Sequence, residues 1–402
     1  MSKEPLLMSE KCSGSSVFQA FYNMLCFTVG AGMLGLPHAL LFAGELYVIP
    51  VLCGGALCFY TALLLHRAQQ HHEVSSYQAL GEACGGKRLK LLIACSLSVN
   101  QFGIAVLYVI TTCQNVELIL GGSEAAPRWP LYPLVGAITF IACTRGESIA
   151  HISAMSLLGL VSVLAVGGFI VAASTRVEPA ASTCAPVAVP QMLAGLGTAI
   201  FAYGGHPVYP DIQGSMARPA DFGSVIRHAF TLMTLLFLMV MFSSWRAWGC
   251  SVHGYVLDDL PNTWWRSAAL VGMTVHLVSA IPIVLLPMMR CLEAYLKHEG
   301  NSRGVRLAIA SLAVVSAYFF PFFTDFVALI GGFTENVLVF VIPLLIHHLT
   351  FGCSWSFAGL AEMALQGTIL TLAAAIFTVG TASSLGNIFA KWDQYHVRWF
   401  LF

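Results

Sequence analysis

Long apolar runs, separated only by short charged stretches, recur from Val17 to Gly380. A run of about 20 apolar residues crosses the roughly 30 Å hydrocarbon core of a bilayer as one helix. Only 9% of the 402 residues are Asp, Glu, Lys or Arg, while 57% are hydrophobic. Soluble domains carry about 25% charged residues, so this chain cannot cover itself with a water-compatible surface. In hydrocarbon, backbone N–H and C=O groups must bond one another, which an α-helix does within a single run. The pattern predicts an all-α polytopic membrane protein of about eleven transmembrane helices. The runs lie near 17–40, 46–66, 91–120, 130–143, 148–173, 190–210, 225–248, 267–290, 306–323, 326–348 and 355–381, the fourth short and set off by Pro130 and Pro133.

Charge sets the orientation. With the N-terminus in the cytosol, thirteen of the 19 Lys and Arg residues fall inside, among them Lys3, Lys11, Lys87, Arg88, Lys90, Arg290, Lys297, Arg303 and Arg306. Basic residues collect on the cytosolic side, so the N-terminus is expected there. The polar leader lacks a small-residue cleavage site, so the first run reads as a retained span. Lys+Arg and Asp+Glu balance at 19 each, leaving no net charge to attract nucleic acid. The twelve cysteines form no CxxC pair and no Cys/His cluster of zinc spacing, so no metal and no cofactor is expected. HExxH, GxSxG and paired intramembrane Asp motifs are missing too, which argues against an enzyme.

Two runs carry glycine and proline where a continuous helix would not. The first holds Gly30-Ala-Gly-Met-Leu-Gly-Leu-Pro37, and the sixth holds Tyr203-Gly-Gly-His-Pro207. Each Gly disfavours helix by about 1 kcal/mol and Pro by about 3 relative to Ala. Unwound backbone at membrane depth is tolerated where it lines a protected polar site. Helix N-termini there offer N–H groups to a carboxylate, and freed carbonyls hold a cation or an ammonium. The bland alternative is that these glycines only let helices pack closely. Interruptions in the first and sixth runs are the pattern expected of two five-helix halves.

Further motifs accompany these breaks. Gly30–Pro37 with Ala39, Phe201-Ala-Tyr-Gly-Gly-His206, Tyr209-Pro-Asp-Ile-Gln213 and Pro219 follow one another in order. Asn100-Gln-Phe-Gly103 with Tyr108 and Asn115, Pro282 through Pro287 to Glu293, and Phe320-Pro-Phe-Phe-x-Asp325 through Gly331-Gly332 to Pro343 complete the set. Together they resemble the amino acid/auxin permease family over nearly all the chain after the leader. The loop Asp258-Asp-Leu-Pro261 looks nearest to its vesicular inhibitory and vacuolar amino-acid transporter branch.

The resemblance implies a 5+5 inverted repeat similar to the bacterial leucine transporter, plus an eleventh helix. The organisation is then a cytosolic tail 1–16, a first repeat 17–173, an outer loop 174–189, a second repeat 190–349, the eleventh span 355–381 and a C-terminal tail 382–402. It implies a substrate site at Gly30, Ala31, Gly32, Met33, Tyr203, Gly204 and Gly205, with Gln101 and Tyr108 contributing from span 3. Relatives link the loops holding Cys184 and Cys250, both on the outer side here, so a disulfide is expected. Sodium-using relatives commonly carry Asn four residues before the first glycine of the span 1 motif. Cys26 stands there and is a poor ligand for a hard cation, which favours proton coupling.

Ionisable residues deep in a span are functional candidates. His276 in span 8 can load a proton near neutral pH. Glu335 in span 10 sits about 18 Å, a dozen helical residues, from the inner end at His347-His348, near mid-membrane. His206 is expected to cap freed carbonyls, Asp325 to cap a helix, His38 to be interfacial and Glu362 to be structural. The expected function is secondary active transport of amino acids or similar small zwitterions by alternating access, proton-coupled, in a vesicular, vacuolar or plasma membrane. A sodium-coupled transporter and an amino-acid sensor using the same site are the alternatives.

Overall fold

The computed structural model describes residues 14–42, 44–120, 131–145, 149–180, 184, 188–296, 302–352 and 357–399. Lys3, Lys11, Arg128, Pro130, Lys297 and the last residues of the expected C-terminal tail lie outside these. The described residues are predominantly helical, and among them the sole β-pairing is an isolated bridge between Ser15 and Met216. The first apolar run is split into α1 (Val17–Thr28) and α2 (Ala31–Ala39), which meet at 54°. Then follow α3 (Val48–His72), α4 (Tyr77–Ile119), α5 (Leu131–Arg145) and α6 (Ile149–Ser174). The sixth run is also split, into α7 (Val189–Tyr203) and α8 (Tyr209–Ser215). The rest are α9 (Phe222–Trp248), α10 (Trp264–Tyr295), α11 (Arg303–Phe319), α12 (Phe323–Ile330), α13 (Ile342–Phe351), α14 (Phe357–Ala375) and α15 (Thr381–Trp399). Segments of π-helix join α12 to α13 and α14 to α15, so each pair runs as one rod. Among the described residues, seven helices are individually long and apolar enough to cross a membrane, and the bent α1–α2 pair makes an eighth.

Local chemistry sets the helix ends. Ser16 and Gln19 form a reciprocal capping box at α1, with backbone-to-side-chain bonds of 2.8 and 3.1 Å. Gly249 ends α9 with a φ of 49°, a conformation a Cβ would resist.

Hydropathy alone shortens several elements. The inner stretch 67–90, expected as connection, is mostly helical: α3 continues to His72, and α4 begins at Tyr77 and kinks at Gly86. Its charges face water, as with the exposed Lys90–Glu82 pair at 2.6 Å. Residues 382–399, expected as tail, form α15, anchored by a Lys391–Asp325 ion pair. A helix that leaves the bilayer loses its apolar signal without losing its hydrogen bonds.

Two packing groups emerge. α10 lies against α6 and α4, with α5 and α11 at its side. The broken helices form the second group, with α2 on α7 and both α1 and α3 on α9. Leu157, Leu158, Val161, Leu235, Met239, Leu307 and Leu312 are exposed and form apolar surface suited to lipid. At the inner end Arg306 is buried, and its Nε donates to Glu293 Oε1 at 2.9 Å and its Nη1 to the Cys143 carbonyl at 2.7 Å. One guanidinium thus ties α11 to α10 and α5.

At the end of the bundle opposite Arg306, Cys184 and Cys250 are joined by a disulfide with Cα atoms 5.4 Å apart. The loop after α9 folds back over the bundle. Its Val252 carbonyl meets His38 Nδ1 at 3.1 Å, and Gln114 donates to Asp258 at 3.0 Å. Tyr255 donates to Asn115. The Asp259 carboxylate beside His253 holds that imidazole above its ordinary range, while burial pushes the Asp259 carboxyl up.

Two expectations follow. Arg306→Ala strands a buried carboxylate, and stability should fall by about 3–5 kcal/mol, read as a lower unfolding midpoint in detergent. Arg306→Met with Glu293→Leu should recover most of that loss. A raised histidine pKa contributes stability that is complete below the ordinary value near 6.5 and fades as pH rises through the raised one. Amides 252–260 should therefore exchange faster at pH 8.5 than at pH 6.5, after correction for intrinsic rates, and His253→Gln should abolish the difference.

Candidate functional site between two broken helices

The breaks in span 1 and span 6 face each other. α1 ends at Thr28, and the chain passes through Val29 and Gly30 before α2 begins. In span 6 the helix ends at Tyr203 and resumes at Tyr209. Gly32 makes this approach possible. A Cβ there would lie 2.7 Å from the Ala202 Cα and 3.0 Å from the Phe201 ring. Gly32 on α2 therefore lies directly against the Ala202 backbone of α7, and the two interruptions come to one level.

A cavity of about 10 Å³ lies between them, lined by Phe27, Thr28, Gly30, Ala31, Gly32, Ile104, Tyr108, Phe201, Gly204 and Glu335. That is room for about one water molecule. The C-terminal ends of α1 and α7 and the N-terminal end of α2 converge on it. Helix C-termini carry partial negative charge and N-termini partial positive charge, so the cavity wall has a cation-favouring side and an anion-favouring side.

Glu335 is the one ionisable carboxylate in that wall. It ends the first π-helical segment, Gly331–Glu335. Wide turns of this kind disturb the regular ladder and often occur at functional sites. The side chain is 1% exposed, and neither carboxylate oxygen has a hydrogen-bond partner. Asn100 faces it from α4, and the Asn100 carbonyl oxygen accepts from Thr334 at 2.6 Å. Next to Glu335, Asn336 donates to Ala373 at 2.8 Å and fastens this stretch to α14.

Of the residues singled out in the sequence, Gly30, Ala31, Gly32, Tyr108, Gly204 and Glu335 line the cavity. Met33 and Gln101 are buried, but neither lines it. Tyr203 turns away, donating to Thr234 at 3.3 Å and packing on Phe230 and Phe237. Gly205 faces Tyr209 and Thr28. His276 stands behind Gly30, its Nε2 2.9 Å from where a Gly30 Cβ would be. Its Nδ1 is 3.0 Å from the Gly159 carbonyl, and its Nε2 has no partner.

Two expectations are corrected. His206 does not cap the span 6 carbonyls: its Nε2 lies 3.1 Å from Thr61 Oγ1 on α3. Asp325 caps no helix and pairs with Lys391. In both cases a tertiary neighbour offers a better partner than the local backbone. Glu362 accepts from Tyr60 at 3.0 Å, as a structural role requires. Phe27, Thr28 and Ile104 belong to no motif the sequence singles out, and Ile104 joins the site only through the placement of α4; Phe201 heads the span 6 motif, which does not by itself show that its ring reaches the cavity.

Polar contacts and a loop flank the cavity on opposite sides. On one side, Gln69 donates to the Pro210 carbonyl at 2.7 Å, His66 meets Gln213 at 2.9 Å and Tyr77 donates to the Leu338 carbonyl at 2.8 Å. On the other stands the folded loop after α9. A second cavity of about 110 Å³ lies on that side, bordered by His38, Thr198, Asp325 and Asn387.

A Cβ at Gly204 would fall 2.3 Å from Glu335 Oε1 and 2.7 Å from its Cγ. Gly204→Ala should thus displace the carboxylate and reduce flux at least tenfold while leaving membrane insertion intact. Gly54→Ala, where a Cβ meets nothing within 4 Å, is the matched control and should keep ordinary flux.

The fold has solved counterparts. An inward-facing conformation of Mhp1 superposes with a TM-score of 0.61 at 12% identity, covering 96% of this chain and 95% of that one. MhsT in complex with L-phenylalanine gives 0.60 at 12% identity, covering 94% and 98%. Both share the leucine-transporter fold, so the all-α architecture of two five-helix repeats and an eleventh helix is the fold of this chain. Among curated proteins, amino acid transporter AVT1B of Arabidopsis thaliana is 27% identical over 94% of this chain and 72% of its own length. AVT3C of the same plant is 23% identical over 94% and 92%. Vacuolar amino acid transporter 4 of Saccharomyces cerevisiae (strain ATCC 204508 / S288c) is 25% identical over 83% and 52%. Residues 13–385 match the family described as transmembrane amino acid transporter protein, and the chain belongs to that family.

Proposed function

We propose that this protein is a secondary active transporter that moves amino acids across a membrane by alternating access, driven by a proton gradient. The observation that carries the reading is the meeting of two broken helices around a cavity that contains one partnerless carboxylate. An amino acid needs a cation-favouring and an anion-favouring group a few ångströms apart. The ends of α1 and α7 supply the first, and the N-terminal end of α2 supplies the second.

The present cavity holds about one water, so a substrate enters only when one side opens. The inner bonds from α3 and α4 to spans 6 and 10 and the outer loop bonds lie on opposite sides of the cavity. Alternating access breaks one set while the other is kept. Proton coupling is supported by Glu335 in the wall and His276 behind Gly30. Cys26, buried on α1, stands where sodium-using relatives place an oxygen ligand. The basic residues favour a cytosolic N-terminus. A yeast relative named as a vacuolar amino acid transporter supports an internal compartment as the site of action.

The test is flux in proteoliposomes, using a mixture of the twenty radiolabelled L-amino acids. An imposed pH gradient should drive accumulation at least tenfold above equilibration, and a proton ionophore should abolish it. Accumulation that ignores the pH gradient and follows a sodium gradient refutes proton coupling. Retention without flux would favour a sensor.

A further inference from the structure

We propose that Glu335 is a shared site, occupied either by a proton or by the ammonium group of the amino acid but never by both. The protein is then an obligatory proton/amino-acid exchanger. This rests on the transporter reading above and adds the direction of coupling.

The argument starts from what surrounds the carboxylate. Glu335 is 1% exposed, neither oxygen is hydrogen-bonded, and among the described residues no cationic side chain pairs with it. The titratable groups facing it are the Cys58 thiol on α3, the Tyr77 and Tyr108 phenols on α4 and the Tyr209 phenol on α8. None of these brings positive charge. His206, two residues past Gly204, is turned to Thr61, and His276 lies on the far side of Gly30. Gly204, at the negative end of α7, packs against the carboxylate. The Asn100 side-chain amide faces the carboxylate but is neutral, and a buried charge without a charged partner is strongly disfavoured.

Closure therefore requires that the carboxyl be neutral or paired with a cation. Glu335 shares the cavity wall with the carbonyl ends of α1 and α7, so an ammonium drawn to those ends lies against it. Its arrival displaces the proton: Glu–COOH and R–NH3+ become the Glu–COO−/R–NH3+ pair, and one H+ leaves to the side from which the amino acid came. On the far side the amino acid departs and a proton from that side takes its place. The bare carboxylate holds the transporter open, so it cannot reset without one of the two. One proton and one amino acid cross in opposite directions.

Symport would instead need a proton and a substrate bound together. His276, whose Nε2 is unpartnered behind Gly30, is the group that could hold that second proton.

The test is equilibrium binding of each of the twenty tritiated L-amino acids to purified protein at pH 4.5 to 8.5. For those that bind, exchange requires the apparent Kd to fall about tenfold per pH unit on the acid side and then level off. Affinity that strengthens on acidification, or that ignores pH, overturns the proposal. Glu335→Gln should bind at least tenfold more weakly and without pH dependence. A variant that folds and keeps the wild-type pH slope also overturns it and moves the proton to His276. In proteoliposomes at equal starting pH, amino acid added outside should make the lumen more alkaline, and acidification would establish symport. If no amino acid binds at any pH, the transporter reading itself fails. The wild-type slope decides the matter even if Glu335→Gln does not fold.

Discussion

Backbone hydrogen bonding inside hydrocarbon is the constraint on which the rest of this structure depends. It forces each apolar run into helix, and it makes an interruption permissible only where protein encloses it. The two interruptions in spans 1 and 6 protect each other. Gly32 lets α2 lie on the Ala202 backbone, so unwound residues of one span are covered by the other. The same closeness places helix ends of both signs around one small space.

The two packing groups divide the work. α10, with α4, α5, α6 and α11, forms a rigid frame locked at its inner end by Arg306 and Glu293. α1, α2, α7 and α8 carry the breaks, and short polar contacts hold them to their surroundings at either end. Single hydrogen bonds contribute about 1 kcal/mol each to a folded state. A handful can therefore be exchanged between inner and outer sets without endangering the fold. The buried ion pair, in contrast, is strongly disfavoured from opening on one side alone.

Much of the site was legible before any geometry. Gly30-Ala-Gly32 and Gly204 are visible because glycine at the centre of an apolar run contradicts helix propensity, and Glu335 because charge there contradicts solvation. Residues that contradict nothing stayed hidden. Phe27 and Ile104 line the cavity as apolar residues that no motif marks. Motif membership in turn overreached. Tyr203 and Gln101 belong to the right segments, yet a helix turns 100° per residue and their side chains miss the cavity. His206 and Asp325 found partners on α3 and α15 that no local pattern announces.

The sequence by itself determined the class of solvent, the helical character and the two places where helix must fail. These follow from composition and propensity summed along the chain, which need no partner. Helix ends past the membrane, the course of α15 and the rotation of each helix about its axis were decided only in three dimensions. So was the isolation of Glu335, because whether a carboxylate is paired depends on what neighbouring helices bring to it. A charge in an apolar run announces that something must compensate it. Only the packed structure reveals that, among the described residues, no cationic side chain pairs with Glu335.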